Sequence, residues 1–225
     1  MKFGIECISD THGFFPELKG GVEDLLLYAG DFSPGRGSLV ETIKFLDWLD
    51  NQPHKRKILV AGNHDFICER DPGLFQTLVN SHKSITYLKD SQTVFKGWKI
   101  YGSPWQPWFY DWAFNAPRDG EKLRQIWAAI PNDTDILVTH SPPYGIMDQC
   151  PEHVGCKLLR DRVLEVKPKV HCFGHIHQGE GAYLKVYPET GHQQSTLFVN
   201  ASYVDEHYQP YERPADKLFK GLEAV

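Results

Sequence analysis

Five short apolar runs recur along the chain, and each stops at a residue that can bind a metal or carry a proton. Residues 3–9 (FGIECIS) end at Asp10, 24–30 (DLLLYAG) at Asp31, 57–63 (KILVAGN) at His64, 135–140 (DILVTH) on His140 itself and 169–175 (KVHCFGH) on His175. Runs this short, apolar on both faces, predict strands covered by helices on one side and by another layer on the other. Between them lie segments of helical period. Residues 38–52 carry apolar side chains at 39, 40, 43, 46 and 49, with Ser38 as N-cap, and 120–130 and 156–166 repeat the pattern. Residues 85–103 read as further short strands with a turn at Lys96-Gly97. After residue 180, GAYLKVYP and STLFVNAS read as a hairpin joined by ETGHQQ. Strand-helix alternation followed by hairpins predicts an α/β fold with at least one mixed sheet. No repeat, linker or low-complexity tract interrupts residues 1–225, so a single domain is expected.

Composition narrows the class. With 41% hydrophobic and 24% charged residues, the 225-residue chain has an ordinary globular balance. Its net charge of −5 gives no strong nucleic-acid signal, since such binding needs a basic face. A small phosphorylated ligand is not excluded, because a local cation reverses the field. Five cysteines without a CxxC pair read as reduced thiols of a cytoplasmic protein. Cys150 and Cys156 are the one pairing worth weighing. No signal-peptide core and no run of about 18 apolar residues is present, so no membrane partner is expected. Oligomeric state is not legible.

The ends of the predicted strands hold two aspartates, one asparagine and five histidines: Asp10, His12, Asp31, Asn63, His64, His140, His175 and His177. In open α/β sheets the ligand site lies beyond the carboxyl ends of the strands, so adjacent strands would bring these residues together. Imidazole and carboxylate suit Mn²⁺, Fe and Zn²⁺, and no clustered thiolates suggest a closed structural zinc. So many ligands exceed one tetrahedral ion but suit two ions about 3.5–4 Å apart with a bridging carboxylate. Each piece alone has a plain reading as a turn or a strand end. Five pieces in this order, each after a β-type run, do not.

The order Asp10-Thr11-His12, Gly30-Asp31, Gly62-Asn63-His64-Asp65, His140 and Gly174-His175-Ile176-His177 resembles the signature of the calcineurin-like metallophosphoesterase superfamily. The resemblance implies a four-layer sandwich of two mixed β-sheets flanked by helices, with two divalent metal ions at one end. Mn²⁺ is the first expectation, with Fe or Zn²⁺ as alternatives. It also implies that Asp10, His12 and His177 hold one metal, that Asn63, His140 and His175 hold the other, and that Asp31 bridges. His64 would stand near the phosphate and its leaving group. Pro34 occupies the position where Ser/Thr protein phosphatases of the superfamily carry an aspartate that orients this histidine, and GNHD replaces their GNHE. A protein phosphatase is therefore not expected, and His64 needs another partner or none. Residues 53–65, 87–109, 135–148 and 154–159 are similar to the small metallophosphoesterase-domain proteins known from animal brain and from bacteria. That group's implied activity is hydrolysis of phosphodiesters, cyclic nucleotides among them. Some members carry Gly in place of the first His of G-H-x-H; this chain keeps His175. The intact ligand set favours turnover of a small phosphodiester or nucleotide over a scaffold that only binds one. A broad phosphomonoesterase stays open.

The aromatic stretch 103–114 offers Trp105, Trp108, Phe109 and Tyr110 either as a wall on which a base stacks or as rim packing. Asn115 and Arg118 are candidates for touching phosphate or sugar. His171 belongs to the core or to a helix interface, on the face opposite Cys172.

Overall fold

The computed structural model describes residues 3–22, 24–188, 194–211 and 218–222. The chain runs through β1 (Phe3–Ile8), β2 (Leu25–Ala29), α1 (Leu39–Asp50), β3 (Arg56–Val60), α2 (Phe66–Arg70), α3 (Pro72–Asn80) and β4 (Ile85–Tyr87). It continues through β5 (Ser91–Phe95), β6 (Trp98–Ser103), β7 (Gln106–Pro107), β8 (Asn115–Ala116), α4 (Glu121–Ala128) and β9 (Ile136–Thr139). Then follow β10 (Gln149–Cys150), β11 (Glu152–His153), α5 (Lys157–Val166), β12 (Val170–Phe173), β13 (Gly181–Tyr187), β14 (Gln194–Asn200) and β15 (Leu218–Leu222).

Two mixed sheets result. In the first, ordered β15-β1-β2-β3-β4, only β15 is antiparallel to its neighbour. In the second, ordered β13-β14-β12-β9-β6-β5, the four central strands are parallel and each edge strand is antiparallel. Strand alternation divides the apolar side chains into three layers. Leu25, Leu27 and Ala29 of β2 meet Ile136, Val138, Cys172 and Val199 between the sheets. Leu26 and Tyr28 point the other way, onto Phe45, Leu46, Leu49, Phe75 and Val79 of α1 and α3. On the far side, Leu137, Phe173 and Phe198 pack on Leu123 and Trp127 of α4 and Leu159 and Val163 of α5. The order helices, sheet, sheet, helices is the expected four-layer sandwich. It explains why the strand sequences are apolar at consecutive positions: both faces are buried.

The local chemistry follows the sequence closely where caps are strong. Ser38 accepts from Glu41 N at 3.2 Å to start α1. Lys96 and Gly97, with φ of 48° and 88°, make the tight turn between β5 and β6. Residues 189–193 of the expected hairpin turn between β13 and β14 lie outside the described residues. The helices α2 and α3, the strand β15 and the two-residue strands β7, β8, β10 and β11 go beyond the sequence reading. α3 has a readable start, since Asp71 accepts from Leu74 N at 3.0 Å and Pro72 takes the first helical turn. β4 also departs from its neighbours in sequence, joining the first sheet while β5 and β6 join the second. No described helix is long and apolar enough to cross a membrane.

Candidate metal centre

The parallel strands of both sheets deliver their carboxyl ends to one rim of the sandwich. Asp10 and His12 follow β1, Asp31 follows β2, and Asn63 and His64 follow β3. His140 follows β9, and His175 and His177 follow β12. Backbone bonds tie these loops together: Asp10 N to Gly30 O at 2.9 Å, His12 N to Asp31 O at 3.1 Å and Gly174 N to His140 O at 2.9 Å. His175 N donates to both oxygens of Asp10 at 3.1 Å, which joins the first sheet to the second. Two glycines leave room for this approach. A Cβ on Gly62 would lie 2.2 Å from Asp31 Oδ1, and one on Gly174 would lie 2.0 Å from Asp10 Oδ2. Asp10, His12, Asp31 and His175 all adopt positive φ, between 43° and 68°. Left-handed backbone at four neighbouring site residues is strain of the kind that clusters at functional sites.

The expected ligands gather into two adjacent groups. Asp10, His12 and His177 bring their ligand atoms within 4.8 Å of one another, and so do Asp31, His140 and His175. His12, Asp31 and His64 form a third such group between them. His12 Nε2 and His177 Nε2 are 3.3 Å apart, and His177 Nε2 is 3.5 Å from Asp10 Oδ1. In the other group His140 Nε2 lies 2.8 Å from Asn63 Oδ1 and 3.3 Å from Asp31 Oδ2. The outer nitrogens fix the rings. His140 Nδ1 donates to Ala29 O at 2.9 Å and His177 Nδ1 donates to Asp205 O at 2.8 Å, so Nε2 of each ring points inward.

Buried lone pairs converging in this way need positive charge at their centre. The titration behaviour expresses the same need. Burial disfavours charge on His140, yet Asp31 and then Asp10 hold it up to about 9. Burial likewise opposes the Asp31 carboxylate, but His140 and His64 hold it well below the usual range. Burial keeps His12 down at about 4 and His175 at about 3, so both rings are neutral at pH 7, the form that ligates metals. The donor set therefore fits divalent cations.

Above the cluster opens a cavity of about 310 Å³. Asp31, Asn63, His64, His175 and His177 form its floor, and Phe109, Trp112, Tyr208 and Arg118 are among its walls. The candidate substrate residues separate. Arg118 reaches the cavity, with Nη1 donating to Val154 O at 3.0 Å and Gly155 O at 3.2 Å. Trp105 does not line it: its Nε1 donates to Asp90 Oδ2 at 2.8 Å, and Lys122 lies 3.6 Å over its ring. Trp108, 57% exposed, stands outside the lining. The Asn115 amide is engaged locally, donating to Tyr110 O at 2.5 Å and accepting from Gln106 Nε2 at 3.0 Å. Cys150, on the cavity wall, and the buried Cys156 are both thiols rather than a disulfide.

Three residues to which the sequence reading assigns no role belong here. Trp112 stacks on His64 with ring centroids 4.3 Å apart. Tyr208 sets its ring edge-on to His12 at 4.8 Å. Asp65, the last residue of GNHD, is buried and accepts from Asp31 N at 2.9 Å, Ser33 N at 3.0 Å and Gly62 N at 2.8 Å. Burial, then the Asp31 charge, pushes its carboxyl up to about 7.

Known proteins match this arrangement. The family model for calcineurin-like phosphoesterases covers residues 5–179. The human metallophosphoesterase domain-containing protein 1 is 37% identical over 232 residues, a span of 92% of this chain and 68% of that protein. Among solved structures, TT1561 of Thermus thermophilus superposes with a TM-score of 0.62 at 13% identity, covering 98% of this chain and 99% of its own. The phosphopantetheinyl hydrolase of Mycobacterium tuberculosis does so at 0.59 and 16% identity, covering 99% and 97%. At such identities these two speak for the fold alone.

Proposed function

Because the chain belongs to the calcineurin-like phosphoesterase family, whose members are metal-dependent hydrolases of phosphoric esters, we propose that it is a two-metal phosphodiesterase acting on small phosphodiesters, cyclic nucleotides first among them. Asp10, His12 and His177 would hold one ion, Asn63, His140 and His175 the other, and Asp31 would serve both. Mn²⁺ is the ion proposed first, with Fe and Zn²⁺ compatible with the same ligands. The observation that carries this reading is the convergence of buried imidazole, carboxylate and amide donors on the floor of a cavity with aromatic walls. When bound, two such ions supply an acidified water and neutralise phosphoryl charge.

The chain's own residues do the rest. Asp31 is held for its bridging role by His64 N, which donates to its Oδ1 at 2.7 Å. The His64 ring lines the cavity with Nε2 3.9 Å from Asp31 Oδ2, close to where a leaving oxygen would depart. It donates a proton to that oxygen as the P–O bond breaks, a contribution of about 10²–10⁴-fold for general acids. Phe109 and Tyr208 offer flat faces for a base, a contact of about 1–3 kcal/mol. Arg118 stands on the wall as the cation for a further phosphate or sugar oxygen. The chain works as one domain, and reduced Cys150 and Cys156 accord with a cytoplasmic setting.

The test strips the protein of metal, titrates Mn²⁺ back, and compares a chromogenic phosphodiester with its monoester. Diester turnover that rises with metal and dominates is the expected result. Dominant monoester turnover would refute the substrate class and leave the two-metal site standing. Two bound metals with neither ester cleaved would refute the hydrolytic reading.

A further inference from the structure

The imidazole proposed as proton donor lacks the partner that such a ring ordinarily needs. His64 is 6% exposed, and its buried Nδ1 has no hydrogen-bond partner among the described residues. A general acid must hold its ring at a fixed angle to deliver a proton along one line. In a hydrolase that angle is commonly set by an acceptor on the far nitrogen. Here something else restrains the ring. Trp112 lies against it at a centroid distance of 4.3 Å and an interplanar angle of 27°, which is stacking. Near the ring, His12 presents its own ring edge-on at 4.6 Å and 79°.

The indole is itself held in register with His64. Ala113 N, next to Trp112, donates to the carbonyl of Asn63, next to His64, at 3.1 Å. Phe114 N donates to Glu69 Oε1 at 2.9 Å, fixing the same segment to α2. Phe66, on α2, packs against the Trp112 ring at 5.9 Å. The strand-end loop after β3 and the 112–114 segment are therefore tied together, which sets the indole against the imidazole.

We propose that Trp112 is a positioning residue for His64: its indole fixes the imidazole's plane by stacking, in place of a hydrogen bond to Nδ1. The inference rests on the phosphodiesterase reading and on His64 as its proton donor. It separates Trp112 from Phe109, which shares the cavity wall but lies nearest His175 among the site imidazoles, at 6.3 Å.

The test uses the Mn²⁺-loaded full chain and two substrates that differ in how much their leaving group needs a proton, the methyl phosphodiesters of p-nitrophenol and of phenol. In Trp112→Leu, kcat on the phenyl ester is expected to fall by about tenfold or more, a fraction of what a general acid supplies. The fall on the p-nitrophenyl ester should be distinctly smaller, with metal content unchanged. Trp112→Phe, which keeps a flat ring, should recover most of the loss and also serves if the leucine variant fails to fold. A second readout needs no turnover and is taken on the protein loaded with diamagnetic Zn²⁺: the His64 ring protons should resonate upfield in the wild type, through the indole ring current, and move downfield in Trp112→Leu. Equal losses on both esters, or a rise in KM alone, would make Trp112 a substrate wall and overturn the inference, as would unshifted ring protons. If the wild-type enzyme cleaved neither diester, the phosphodiesterase reading itself would fall, and this inference with it.

Discussion

His171 makes a stability prediction that depends on no ligand. Its ring is fully buried on the helix-facing side of β12, 5.0 Å from Phe173 and 5.8 Å from Phe198. Thr139 Oγ1 donates to Ser141 O at 2.8 Å and so is left to accept from His171 Nε2 at 2.9 Å. Nδ1 is buried and has no acceptor for a second proton among the described residues. Burial therefore drives the ring down to about 3 from the usual 6.5. Between those two values the unfolded chain carries a proton that the folded chain refuses, so stability is complete above pH 6.5 and is lost as pH falls toward 3. The slope approaches about 1.4 kcal/mol per pH unit, and integration from about pH 7.5 to 5 gives about 2 kcal/mol from this one ring. His171→Leu removes the titration at similar volume. The assay is urea unfolding of chelator-treated wild type and variant at about pH 7.5, 6 and 5, so that the other buried histidines cancel in the difference. The variant should gain on the wild type by about 2 kcal/mol over that range, whatever its offset at the alkaline end. A difference that stays flat within about 0.5 kcal/mol would refute the reasoning, because the folded ring would then accept a proton at little cost.

Gly174→Ala would drive a methyl to 2.0 Å from Asp10 Oδ2 and 2.2 Å from Ser9 Oγ, so elemental analysis after dialysis should find metal lost from the Asp10 side, with a stability loss of about 1–3 kcal/mol from the overpacking. Asp65→Ala strands the buried N–H groups of Asp31, Ser33 and Gly62, each at about 1–3 kcal/mol, and should abolish cooperative unfolding or lower its midpoint sharply in a denaturant titration. Trp127 is buried between α4 and α5 with Nε1 donating to Cys156 Sγ at 3.2 Å, so Trp127→Ala should cost about 3–5 kcal/mol in urea unfolding while Mn²⁺ affinity by calorimetry holds.

The parts of this fold that the sequence makes legible are those whose cause is local. Apolar runs at β1, β2, β3, β9 and β12 are bounded by their own end residues, and Ser38 starts α1 with its own hydroxyl. What the pattern leaves out has a distant or a short-range competing cause. β15 forms because β1 offers an open edge far back along the chain, with Phe3 opposite Leu222. Helices α2 and α3 follow a site loop whose glycine, asparagine and histidine read as a turn, and α2 is only five residues long. The Asp71-Pro72 start of α3 was a usable signal, since Asp caps and Pro fills the first helical position.

The same distinction divides the candidate site. Its floor is built from residues that each end a strand, so parallel packing alone brings Asp10, Asp31, Asn63, His140 and His175 to one rim, and the order of motifs predicts the cluster. Its wall is built from loops that no strand positions. Within a single aromatic stretch, Trp105 turns to Asp90 and Trp108 to solvent, while Phe109 and Trp112 turn to the cavity. What selects Trp112 is a backbone bond from Ala113 to Asn63, a long-range pairing that no periodicity encodes. Tyr208 reaches His12 from the far end of the chain through a turn in which His207 N and Gln209 N both donate to Asp205 Oδ1, while the Asp205 carbonyl fixes His177. The floor's chemistry is therefore set by strand ends, and any choice among esters is set by loops anchored on that floor. Changing the ester preference without disturbing metal affinity should thus be possible at Phe109 or Tyr208, which line the cavity outside the proposed ligand set, and impossible at Asn63 or His177, which line the cavity and belong to that set.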